Sequence, residues 1–73
     1  MNGRPRKHSL TLRGHRTSVS LEDAFWIEIR RLAEAEGKSV NELIAEIDAA
    51  RGVSAGLASA IRVHVLAALR AGR

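Results

Sequence analysis

The sequence predicts a mainly α-helical fold that opens on a short strand or hairpin and closes on a third, C-terminal helix. Three observations predict it. Apolar residues alternate with period two over residues 9–21, then switch at Glu22 to the three-and-four spacing of a helix. A glycine at 37 is followed at once by Ser39-Val40-Asn41-Glu42, the serine-to-glutamate spacing of a capping box, so one helix stops and another starts there. Beyond Gly52 a last apolar stripe recurs at helical spacing.

Taken in order, residues 1–8 carry Gly3, Pro5, Arg4, Arg6 and Lys7 with nothing to bury, and are expected to be a basic flexible arm; residues 9–73 are then one domain. Ser9 to Leu12, a break at Gly14, and Arg16 to Leu21 read as extended chain. In the second segment Thr17, Val19 and Leu21 share one face, and Arg16, Ser18 and Ser20 share the other. From Glu22 a helix buries Phe25, Ile29 and Leu32 with Trp26 and Ala33 beside them, while Glu22 and Asp23 suit the positive end of its dipole. The second helix, entered at Ser39, turns Leu43, Ile44 and Ile47 inward and ends at Gly52. The third runs from about Ala55 to Leu69 with Ser54 as its cap, burying Leu57, Ile61, Val65 and Leu69 and closing before Gly72. A strand cannot stand alone, because each of its amides needs a partner. The segment around Thr17 to Leu21 therefore pairs either with its copy in a second chain or with Ser9 to Leu12 through a tight connection, and a strand has edges enough for both.

Seventy-three residues bury little apolar surface against the entropy of ordering the chain, and with no cysteine there is neither a disulfide nor a thiolate metal site to help. Sharing a core with a second copy is the expected remedy. No apolar run approaches membrane-spanning length, and a cytoplasmic location is expected. Net charge is +4 and strongly segregated: residues 1–21 hold five cations and no acid, all eight acids lie within 22–48, and 49–73 is again purely basic. That distribution suits an N-terminal edge for a polyanion. The only aromatics are the adjacent Phe25 and Trp26, so no ladder of rings awaits unpaired bases, and duplex is favoured over single strands.

The order of strand, helix, glycine and capped helix, carried by Arg16-Thr17-Ser18-Val19-Ser20-Leu21-Glu22 and Gly37-Lys38-Ser39-Val40-Asn41-Glu42-Leu43-Ile44, resembles the ribbon-helix-helix superfamily of bacterial and phage repressors typified by Arc and the methionine repressor. More narrowly, residues 13–22 followed by Phe25-Trp26 are similar to a short bacterial ribbon-helix-helix family with an added C-terminal helix. The resemblance implies a homodimer, extending to paired dimers on tandem sites, that shares an intermolecular antiparallel ribbon and acts as a sequence-specific transcriptional repressor of duplex DNA, associated with the nucleoid when bound. It implies that Arg16, Ser18 and Ser20 read base edges in the major groove. Thr17, Val19, Leu21, Phe25, Trp26, Ile29, Leu43, Ile44 and Ile47 would form the dimer core. Phosphates would fall to the amides of Ser39 and Val40, to Lys38, and to Arg13, Arg4, Arg6 and Lys7.

Ser9 to Leu12 is an addition to that pattern. Flanking the ribbon in both copies, it would make four strands whose backbone, at about 4.8 Å per interval, spans about 14 Å, against a major groove about 12 Å wide. Either the segment moves aside, or it bends away as an arm toward phosphates, or the ribbon does not read DNA. In the last case the chain is an interaction module, antitoxin-like or adaptor, whose sheet or C-terminal helix docks a partner protein. His8, His15 and His64 lack metal-ligand spacing, so no metal or other cofactor is expected; His15 beside the basic turn is suited to a phosphate when protonated. No nucleophile-base pair, phosphate-cradling glycine loop or paired carboxylates argue for catalysis, and a non-enzyme is expected.

Overall fold

In the computed structural model, which describes residues 3–52 and 55–73, the chain forms β1 (Arg6–Leu12), β2 (His15–Leu21), α1 (Asp23–Ala35), α2 (Val40–Ala50) and α3 (Leu57–Arg70). Of the two pairings open to the strand, the one within the chain is present: β1 and β2 are antiparallel, with Arg6 opposite Leu21 and Leu12 opposite His15. The pairing expected with a second copy would use the other edge of β2. Two residues make the turn, Arg13 at φ +53° and Gly14 at φ +82°. Positive φ at both central positions is what a type I′ hairpin turn requires, because its twist matches that of the strands.

β1 begins at Arg6, three residues before the expected Ser9, so the arm expected over 1–8 is shorter than its composition suggested. Contacts rather than apolar content order it. The Trp26 indole Nε1 donates to the Arg6 carbonyl at 2.9 Å, the His8 ring stacks on Trp26 with centroids 4.0 Å apart, and Arg6 meets Asp23 at 2.9 Å.

Helix ends follow the sequence closely. α1 closes with Gly37 at φ +70°, where the Lys38 amide donates to Ala33 O and that of Gly37 to Glu34 O, a pair of bonds that satisfies carbonyls otherwise left bare. α2 opens on the full capping box: Ser39 Oγ accepts from the Glu42 amide, and the Glu42 carboxylate accepts from the Ser39 amide. α3 opens on Gly56 without a side-chain cap; its expected cap, Ser54, lies outside the described residues.

The core lies between the hairpin's inner face and the three helices. Val19, Leu21, Trp26, Ile29, Leu43, Ile44 and Ile47, expected to be buried by a second copy, are buried within one chain. The cover comes from Leu12 of β1 and from Ile61, Val65 and Ala68 of α3. Phe25 is only partly buried and Thr17 is exposed. Leu57 is half-buried, and Leu69, expected to face inward, is 47% exposed while Ala68 takes its place. The reason is helical drift: each four-residue step overshoots a turn by about 40°, so Leu69 lies about 120° round from Leu57. Among the described residues, no helix is long and apolar enough to cross a membrane.

Candidate nucleic-acid interface

Strand alternation sorts the hairpin into two faces. His8, Leu10, Leu12, Val19 and Leu21 turn toward the helices. The opposite face is set by the register, in which Lys7 is opposite Ser20, Ser9 opposite Ser18, and Thr11 opposite Arg16. It holds two cations and four hydroxyls without a carboxylate. Five of the six are exposed and Ser20 is half-buried. Arg13 adds a third cation at the tip, held in a left-handed conformation that costs a non-glycine residue about 1–2 kcal/mol.

Elsewhere most of the cations are engaged. Lys38 Nζ lies 3.0 Å from Glu36 and 2.6 Å from Glu46, and these two carboxylates, Glu46 first, push the ammonium pKa up. Glu36 is in turn held below the usual carboxylate range by its bond to Lys38, and also meets Arg73 at 2.7 Å. Arg62 places Nε and Nη2 at 3.0 and 2.8 Å from one Glu22 oxygen and lies over the Phe25 ring, which fastens α3 to the β2–α1 corner. That guanidinium holds the Glu22 carboxyl low. Arg31 pairs with Glu28, Arg51 with Asp48. Lys7, Arg13 and Arg16 on the hairpin, together with Arg30 on α1 and Arg70 on α3, make no ion pair among the described residues.

The residues expected to contact DNA therefore separate. Arg16, Ser18 and Ser20 share one outward face, as alternation required. Lys7 joins them on it, whereas Arg6 falls on the other face beside Asp23; Arg4 precedes β1. At the start of α2, Lys38 is neutralised by its two acids, and the Ser39 amide is taken by Glu42, whose carboxyl that bond holds low. The Val40 amide lies in the first turn, where no intrahelical carbonyl reaches it.

Asn41 is a positioning residue that sequence reasoning missed. Its Nδ2 donates to the Thr11 carbonyl, which ties the start of α2 to β1. An asparagine in the first turn of a helix reads as a local polar residue, and only the folded path shows that a strand carbonyl passes above it. The histidines are spread out: His8 on Trp26, His15 at the start of β2, and His64 in α3 with its Nε2 buried and without a hydrogen-bond partner among the described residues. No group of three metal-holding side chains gathers among the described residues.

A family model described as a ribbon-helix-helix domain matches residues 5–69. No curated protein and no solved structure gives a significant match. With a paired ribbon, a glycine-closed first helix and a capped second helix in the matching order, the chain belongs to the ribbon-helix-helix domain family.

Proposed function

We propose that the protein is a sequence-specific, duplex DNA-binding regulator of the repressor type, acting as a homodimer in the cytoplasm and on the nucleoid, with no catalytic role and no cofactor. Ribbon-helix-helix domains generally form homodimers and bind DNA. The observation that carries the reading here is the outward hairpin face, where Lys7 and Arg16 stand among hydroxyls and, among the described residues, meet no acid. A two-stranded ribbon is one of the two elements that a major groove admits, and arginine gives guanine a bidentate contact worth about 1–3 kcal/mol of discrimination. Arg16, Ser18 and Ser20 serve as readers, Arg13 at the tip holds phosphate, and the Val40 amide with its helix dipole adds a second phosphate contact.

A titration of random genomic duplex over a salt series tests it. Several phosphate contacts give a steep loss of affinity as salt rises, with a slope near −0.9 per contact. Affinity that is negligible at low salt, or that ignores salt, rejects the reading.

A second reading draws on α3. Val63 is 66% exposed, and with Leu66, Leu69 and the half-buried Phe25 it lines an apolar groove rimmed by Arg62. Exposed apolar surface of this kind suits a protein partner, as in an antitoxin-like or adaptor module. Protection of residues 61–69 from hydrogen exchange by a co-purifying protein, together with negligible DNA affinity, would favour it.

A further inference from the structure

We infer that the groove between α1 and α3 docks an amphipathic helix of a partner protein, one whose apolar stripe is bordered by acidic residues, and that the hairpin's outward face stays free while it does so. The inference rests on the partner-protein reading of α3 given above, to which it adds the partner's chemistry and the independence of the two surfaces.

Exposed apolar area is concentrated at this groove. Of the four large apolar side chains exposed among the described residues, Val63, Leu66 and Leu69 stand on α3 and only Ile27 stands elsewhere. The core does not use them, because Ile61, Val65 and Ala68 supply the side of α3 that closes it. Among the described residues lining the groove, Arg62 is the only polar one. A cleft of this kind suits a helix, which fills it from one face with side chains at i, i+3 or i+4, and i+7. None of the lining residues belongs to either strand, and the hairpin turns its inner face, not its outer one, toward the helices.

Charge selects what borders the partner's stripe. Residues 49–73 hold Arg51, Arg62, Arg70 and Arg73 and no acid. Arg70 comes one turn after Leu66 and two after Val63, so it continues their stripe, and it makes no ion pair among the described residues. At the start of α1 the acids are already paired: Glu22 with Arg62, Asp23 with Arg6, Glu28 with Arg31. An incoming carboxylate satisfies Arg70, whereas an incoming cation meets like charge. The same pattern argues against a second copy as the occupant. A twofold contact would set Arg62 and Arg70 against their own counterparts with no carboxylate on either α3 to separate them, and a head-to-tail contact would build rings or filaments in place of a dimer.

A displayed library of random peptides, selected on the immobilised full-length protein, tests the inference. Enriched peptides should carry apolar residues at helical spacing with Asp or Glu beside them. They should bind Leu66→Glu more weakly by about tenfold or more; Leu66 is 53% exposed, so this variant keeps its fold. Arg70→Glu should weaken the same peptides by about threefold and turn a fresh selection toward basic borders. Adding a selected peptide to the labelled protein should move the amide resonances of residues 62–69 and leave those of Lys7 to Thr11 still. A selection that enriches nothing, or peptides that bind Leu66→Glu undiminished, overturn the inference together with the partner-protein reading. Peptides that need Leu66 but lack acidic borders, or that ignore Arg70→Glu, overturn the inference alone and leave that reading standing. Shifts centred on the hairpin overturn it too, as does a particle mass that halves in Leu66→Glu, which would make the occupant a second copy.

Discussion

Lys7 and Lys38 carry the same ammonium group into opposite surroundings. Lys38 sits between α1 and α2, where Glu36 and Glu46 close on it. Lys7 sits on a strand face whose neighbours are serine, threonine and arginine. The difference lies in geometry as well as in segregation along the chain. Arg6, adjacent to Lys7, is turned by the strand's alternation onto the other face and meets Asp23. A cation is ready for an external anion only where the fold gives it no internal one; among the described residues Lys7, Arg13 and Arg16 meet that condition on the hairpin, as do Arg30 on α1 and Arg70 on α3. The helical layer uses most of its charges to fasten elements together.

The largest expected effect comes from breaking the junction between the two regions. Trp26→Ala removes the indole that holds β1 to α1, and should lower unfolding free energy by about 3–5 kcal/mol in urea titration; a loss below 1 kcal/mol would mean that β1 is held by something else. Next, Arg16→Ala should weaken a selected DNA site by about 1–3 kcal/mol while leaving stability within about 0.5 kcal/mol. Equal losses on selected and random DNA would remove its base-reading role. On the helical side, Ser39→Ala removes the capping hydroxyl and should cost about 1 kcal/mol of stability with no change in base preference. Arg13→Ala should lower the salt slope of binding by about 0.9, whereas Lys38→Ala, whose charge is already matched, should leave it unchanged. Identical slopes for the two variants would erase the distinction between the regions.

The smallest effect is the response to acid. Bonds from Arg62, Lys38 and the Ser39 amide hold Glu22, Glu36 and Glu42 respectively below their ordinary value of 4.5. The folded state therefore binds fewer protons than the unfolded one as this range is crossed, so these groups stabilise the fold above pH 4.5 and lose that contribution as pH falls below it. The thermal midpoint should decline below that pH and less steeply in Glu42→Gln. A midpoint that is flat down to about pH 3 would contradict it.

Much of the fold was legible because it depends on local chemistry. The Ser39–Glu42 box and the Gly37 stop are decided within a few residues, and alternation places Arg16, Ser18 and Ser20 on one face wherever the strand lies. What was not legible depends on distant chain. The start of β1 at Arg6 is decided by Trp26, twenty residues away, which accounts for a strand in a stretch that composition marks as an arm. The cover over Val19, Leu21 and Ile44 comes from α3, so residues expected to need a second copy are buried without one. The matching of Lys38 by Glu46 appears only once α2 has wound past it.

On the proposed function, DNA lies on the hairpin and the first turn of α2 and not on α3. Titration of the labelled protein with duplex, followed by nuclear magnetic resonance, compares the two regions in one experiment. Amide shifts should move at Lys7 to Thr11 and Arg13 to Ser20 and stay still from Val63 to Leu69. Shifts centred on α3 with a silent hairpin would contradict the account.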